Sequence, residues 1–404
     1  MLMMLVLCWY TITRAPKVTH GFVVYYTNAR MLLEGEDFQR AYDYEYFNGK
    51  IEEYGIRGIK DVPHNLPTNA LLLLPLAWMT PEQTKIVLSA VSFVAILVSL
   101  IILLQTYGVR IQDNLGLGLS ILLLAWRPIY DNIYLGQVYA VLLLLFCLSM
   151  AGIRNADSSI SPIPIALAFL FKGHGVVPMA WLAVQNRWKT LSLVLMWVLV
   201  VALGILPLVG IDAWFAFYSR IVSTLGTNPT DAGTSYQTIN SLIYHLFTYD
   251  PQWLPNPLVI LRGYFVKLIS YATNLALIVY ILMSGRRSPQ STSVLSFSAA
   301  VAAGVVTAPL AEEYAFTLFL PLVFGLVVSI SGKFQRTHRL GALEWICLSA
   351  IVVLAIPIHY KDFQYVTFPL VLLAYPKLFA GIATLLCFGR MAKSGYFDQT
   401  ASEA

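Results

Sequence analysis

The run FLFKGHGVVPMAW, Phe169 to Trp181, sets one lysine, one histidine and two glycines inside an otherwise apolar stretch. A lysine at such a place costs about 2.5–3.5 kcal/mol on insertion scales, so it faces a partner or a watery cavity. Gly173 and Gly175 flank His174, and Pro178 follows. That pattern predicts a helix broken beside the charge, with backbone N–H groups freed for a ligand. An ammonium next to free N–H groups suits a phosphate. A lysine that snorkels to an interface is the plain alternative.

The surroundings of this run fix the class. The chain has 404 residues, 58% hydrophobic and 12% charged, with many apolar runs long enough for a hydrocarbon core of about 30 Å. It reads as an all-α polytopic membrane protein. Apolar runs lie near 1–13, 66–79, 86–106, 115–130, 133–152, 160–184, 191–210, 256–283, 291–309, 314–331, 341–357 and 364–388. About twelve transmembrane helices are therefore expected, with 1–13 and 66–79 the shortest. The net charge of +5 is scattered in short clusters between these runs, which excludes a nucleic-acid footprint. Under strict alternation Arg187 and Lys189, Arg286 and Arg287, Lys333, Arg336 and Arg339, and Arg390 and Lys393 share one side, expected to be the cytoplasm. The long loops at 14–65 and 211–255 then face outward from a cell membrane. One domain is expected over 1–390, followed by a disordered tail at 391–404.

The first loop carries seven basic against eight acidic residues and many aromatics, enough to fold on the membrane surface. In the second, Trp214, Phe217, Tyr218 and Ile221 recur at helical spacing, which predicts a helix in the interface plane. Gly136 and Gln137 stand where a helix begins, Gln137 being either an interhelical hydrogen-bonding group or a substrate contact. Asn240 in QTINSL reads as a possible helix cap. Glu312 and Glu313 directly precede an apolar run at the outer face; one suits the helix dipole and the other a sugar hydroxyl. Cys8, Cys147, Cys347 and Cys387 all lie in apolar runs without metal-site spacing. HExxH, P-loop and GxSxG patterns are absent.

In order along residues 15–325, FVVYYTNARMLLEGEDF, NLPTNALLLLPLAWM, YLGQVYAVLLLL, LFKGHGVVPMAW, QTINSL and APLAEEYAFTLFLP resemble the family 87 glycosyltransferases. The resemblance implies a GT-C fold with interfacial helices in its long outer loops. It also implies an inverting hexosyltransferase that moves a sugar, typically mannose, from a polyprenyl phosphate to a glycan or glycolipid acceptor at the outer face. No cofactor or metal is implied. By resemblance Lys172 holds the donor phosphate, with Tyr25, Tyr26, Arg30, Gln137, His174, Asn240 and Tyr314 as further substrate-binding groups. The leaving phosphate needs no general acid, so one base on the acceptor hydroxyl suffices. The family's first loop opens with an aspartate before its aromatic ribbon, where this chain has Gly21. His20, Asp37 or Asp43 could replace that acid, or the chain could be a non-catalytic polyprenyl-phosphate-binding relative. Glu313 matches the acidic residue of the late motif, and Tyr314 stands where the family often has histidine. A lipid or solute transporter is the remaining alternative, disfavoured because the polar groups gather toward one side.

Overall fold

In the computed structural model, which describes residues 1–154, 161–224, 232–286 and 293–397, no strand occurs among the described residues. The described residues form seventeen α-helices. They are α1 (Leu2–Arg14), α2 (Phe22–Leu33), α3 (Tyr44–Glu53), α4 (Pro81–Thr106), α5 (Asn114–Leu124), α6 (Arg127–Leu135), α7 (Tyr139–Arg154), α8 (Pro162–Lys172) and α9 (Val176–Val184). There follow α10 (Trp188–Val209), α11 (Ile211–Ala216), α12 (Ile239–Phe247), α13 (Gly263–Gly285), α14 (Ser293–Val306), α15 (Leu320–Thr337), α16 (Ala342–Ala355) and α17 (Pro376–Lys393). The N-terminus of α4 shows the local logic: Thr80 and Gln83 form a reciprocal capping box, and Pro81 takes the first helical position, where no N–H is needed.

Among the described residues, four helical segments are long and apolar enough to cross a membrane: α4, α10, α13 and the continuous segment Glu313–Thr337 that ends in α15. Shorter apolar helices, α1, α7, α8, α14 and α16, accompany them. The difference from twelve full spans has local causes. The 115–130 run divides at Ala125 and Trp126 into α5 and α6, and Gly173 to Gly175 separate α8 from α9. The 66–79 run forms no α-helix: Pro67 and Pro75 start two 3-10 turns, Pro67–Leu72 and Leu74–Leu76. The 364–388 run likewise opens with a 3-10 turn, Leu370–Ala374, before α17. In the tail, α17 continues to Lys393 and Phe397 stacks on Phe388 at 6.0 Å, so order extends past 390; residues 398–404 lie outside those described.

Burial sorts the helices into centre and rim. In the most apolar window of Glu313–Thr337, 72% is buried, against 17% in α10 and 22% in α13. The latter two show outward rows of apolar side chains, Leu195, Leu199 and Leu203 on one and Leu268 and Leu275 on the other, as lipid-facing helices do. One end of the bundle collects basic groups. The Lys393 ammonium lies 4.4 Å from the Tyr280 ring centroid, that of Lys333 5.1 Å from Tyr396, and Gln185 beside Arg187 donates to the Gly285 carbonyl. Arg287 lies outside the described residues.

The described parts of the long loops 14–65 and 211–255 fold, and fold on each other. Lys50 pairs with Glu36 (2.6 Å) and Glu53 (2.9 Å), and Tyr46 donates to Glu36. Those bonds hold the Glu36 carboxyl below the usual range, the Lys50 bond most of all. The interfacial segment is α11 followed by a π-turn, Phe217–Val222. It packs Ala216, Phe217 and Ile221 on Tyr42, with Arg220 3.9 Å from Asp43.

Candidate active site

Lys172 is the last residue of α8, and Gly173 behind it takes a left-handed φ of 74°. The helix end thus exposed is held from the 66–79 turn: Thr68 donates to the Leu170 carbonyl (2.7 Å) and Asn69 to that of Phe171 (2.8 Å). This gives NLPTNA its physical purpose, satisfying carbonyls that the break orphans. The Lys172 ammonium lies 5.3 Å from the ring centroid of Tyr25 and 5.7 Å from that of Tyr139. Among the described residues no carboxylate pairs with it, so its charge is open to a ligand. His174 is buried with Nε2 2.9 Å from the Tyr139 hydroxyl.

Gly21, which lines the same space as Lys172, precedes the first turn of α2. Its N–H donates to Asp61 Oδ2 (2.8 Å), and the other Asp61 oxygen accepts from Val62 N–H (2.8 Å). Asn48 of α3 clasps the Asp61 backbone on both sides. A carboxylate therefore does sit at Gly21, delivered from forty residues later. A side chain at Gly21 itself would collide, because a Cβ there falls 2.0 Å from Gln137 Nε2 and φ is +78°. Gln137 in turn accepts from the Tyr25 hydroxyl (2.8 Å). The preceding Gly136 ends α6 in the left-handed region, and a Cβ on it would fall 2.4 Å from Lys85 Cε. Lys85 is fully buried and donates to the carbonyls of Ile133 and Tyr134, closing the C-terminus of α6.

The third wall is set by a long-range bridge. Tyr236 pairs with Glu312 as an isolated antiparallel bridge, and Gln237 N–H donates to the Ala311 carbonyl (2.9 Å). QTINSL thereby fixes the rotation of AEEY: Glu312 turns to the cavity and accepts from the Tyr314 hydroxyl (3.1 Å). Glu313 turns away, 3.1 Å from buried Lys377 and 3.4 Å from the Tyr360 hydroxyl. The Glu312 carboxyl is raised above the usual range. Desolvation is the main cause; the Tyr314 hydrogen bond and the charges of Lys361 and Lys172 pull it down, and Asp61 pushes it up.

These walls enclose a cavity of about 550 Å³. Lys172, Asp61, Glu312, His20, His64 and Tyr25 give it polar groups, while Val24, Leu66, Val176, Val177, Ile278 and Leu310 make much of the rest aliphatic. A second cavity of about 480 Å³ adjoins it, and Leu135, Glu312 and Tyr314 line both. A cation and carboxylates lining one partly apolar chamber are the groups that can hold a lipid phosphate and take a proton from a hydroxyl.

Of the residues singled out by sequence, Gly21, His20, Tyr25, Gln137, Lys172, His174 and Tyr314 line the first cavity. Glu313 lines the second. Asp37 is exposed and caps the 3-10 turn Phe38–Tyr42 through Gln39 N–H, and Asp43 caps α3, so neither reaches the cavity. Tyr26 donates to the Met79 carbonyl and Arg30 to that of Ala77, while Arg30 also pairs with Glu34. Asn240 accepts from Ser270 of α13 and is no cap; Thr238 caps α12. Sequence reasoning passed over Asp61, Lys85 and Lys377. For the two lysines a signal was present, a charge bordering or inside an apolar run: Lys85 directly precedes 86–106 and Lys377 lies within 364–388.

No curated protein and no solved structure matches the chain. The family described as Glycosyltransferase family 87 matches residues 64–274, just over half of the chain. The match takes in the Thr68 and Asn69 clasp, Gln137, Lys172 and QTINSL; Gly21, Asp61 and Glu312 lie outside it. The broken helix with its open ammonium, the folded long loops and this match agree: the chain belongs to glycosyltransferase family 87, and so to the membrane glycosyltransferases.

Proposed function

We propose that the protein transfers a hexose, mannose by family resemblance, from a polyprenyl phosphate to a glycan or glycolipid acceptor at the outer face of the cell membrane. The observation that carries this reading is the Lys172 ammonium, without an ion-pair partner among the described residues, in a partly aliphatic chamber that Glu312 also lines. Lys172 binds the phosphate and stabilises the charge that grows on it, and the aliphatic side of the chamber takes the start of the prenyl chain. Glu312 is the base. Both Asp61 oxygens are engaged by backbone N–H groups, whereas Glu312, among the described residues, accepts only from Tyr314 and has its proton affinity raised by its surroundings. In the transfer the acceptor oxygen bonds to the sugar's anomeric carbon as the carbon–oxygen bond to phosphate breaks. The electron pair leaves with the polyprenyl phosphate and the acceptor proton passes to Glu312, with inversion at carbon.

A second reading, a polyprenyl-phosphate-binding protein without activity, draws on Gly21 alone, and Asp61 and Glu312 weaken it by returning carboxylates to the cavity. The test is transfer of radiolabelled mannose from polyprenyl-phosphate mannose in vesicles carrying the protein. Lys172-dependent transfer to glycan or glycolipid is expected. Absence of transfer from mannose, glucose and galactose donors by well-folded protein would leave the binding reading in its place.

A further inference from the structure

The second cavity differs from the first in the ligand it can hold. It is bounded by α6, the start of Glu313–Thr337 and the segment 358–362 between α16 and α17, where His359, Lys361 and Asp362 are exposed. Its only aliphatic linings are Leu135 and Ile358, too few for a prenyl chain. Four carboxylates, Asp131, Glu312, Glu313 and Asp362, stand against two cations, Arg127 and Lys361. The scarcity of aliphatic lining, against Val24, Leu66, Val176, Val177, Ile278 and Leu310 in the first cavity, is what sets this cavity apart from a chamber for a prenyl phosphate.

Two of these carboxylates are held in place from behind. Arg127 grips Asp131 through two bonds (2.7 and 3.2 Å). Lys377 stands 3.1 Å from Glu313 and is itself fixed by the carbonyls of Val353, Leu354 and Ile356. Carboxylates held in this way along a cavity wall can still accept hydrogen bonds from hydroxyl groups, and Tyr134 and Tyr360 line the same cavity beside them.

We propose that this second cavity is a binding site for an uncharged, hydroxyl-rich sugar chain, the acceptor, which enters head first from the aqueous side and meets the donor across Glu312 and Tyr314. Its role as acceptor site rests on the transferase reading; its ligand class rests on the lining alone. The Glu312 carboxyl feels Lys361 from this side as well as Lys172 and Asp61 from the other, as expected of a group on a shared wall.

The experiment measures thiol modification in vesicles at Asp362→Cys and, as a second exposed reporter, Lys361→Cys, with Thr307→Cys marking the first cavity. A mannose disaccharide is expected to slow modification severalfold at 361 and 362 and free undecaprenyl phosphate to leave it unchanged; undecaprenyl phosphate should protect 307. Protection of 361 and 362 by undecaprenyl phosphate, or none by the disaccharide at millimolar concentration, would overturn the inference. Transfer assayed in parallel separates the two proposals: protection without transfer supports the sugar site and counts against the transferase, and transfer without protection overturns the sugar site alone.

Discussion

The two cavities share a wall and little else. The first presents one open ammonium in a chamber with a large aliphatic share; the second presents a majority of carboxylates, two of them braced by cations, and almost no aliphatic surface. In the first, Lys172 has no ion-pair partner among the described residues, which suits a ligand of opposite sign. In the second, Asp131 and Glu313 are each already held by a cation, which leaves them as hydrogen-bond acceptors for polar ligands. The difference separates a lipid phosphate from a sugar by solvation as well as by shape. It also explains why a single carboxylate, Glu312, touches both.

The sharpest break of this comparison is Glu312→Gln, which keeps the shape and removes the base. A fall in transfer of roughly 10²–10⁴-fold is expected, read as initial rate at saturating donor. Next is Lys172→Ala, which removes the first cavity's cation. Loss of a hydrogen bond to a charged group, about 1.5–3 kcal/mol, corresponds to roughly 10–150-fold in donor kcat/KM, with the acceptor KM unmoved. Gly21→Asp, which restores the family's residue, is expected to destabilise by about 1–3 kcal/mol through crowding against Gln137 at positive φ, and not to raise activity. Thermal unfolding in nanodiscs and the transfer assay measure both parts.

A finer test uses pH. A base must be deprotonated, so the rate falls as pH drops through the Glu312 pKa, and its raised value puts that acid limb above the ordinary glutamate value of about 4.3. Lys361→Ala, in the second cavity, removes a cation that favours the carboxylate and moves the limb up. Asp61→Asn, in the first, removes a repelling charge and moves it down. The smallest effect is expected of Asp37→Ala: about 1 kcal/mol of stability at most from the lost cap, and an unchanged transfer rate.

Local chemistry was legible in the sequence and long-range pairing was not. The break after Lys172 follows from two glycines beside a charge, and the helical segment at 211–222 from aromatic spacing; both are properties of a few adjacent residues. The 66–79 run misled because hydropathy cannot distinguish a span from a turn whose Thr68 and Asn69 hold another helix's end. Asp61 was indistinguishable from its acidic neighbours until the fold carried it to Gly21. Which of two adjacent glutamates faces the donor depends on the bridge from Tyr236, some seventy-five residues upstream, and no spacing rule gives that rotation.

The most direct measurement sets Glu312→Gln beside Glu313→Gln in the same vesicles, with single-turnover transfer and donor binding recorded for each. The expected result is that Glu312→Gln binds donor and fails to transfer, whereas Glu313→Gln transfers at saturating acceptor with a raised acceptor KM. Transfer surviving in Glu312→Gln and lost in Glu313→Gln would contradict the assignment of Glu312 to the junction of the two cavities.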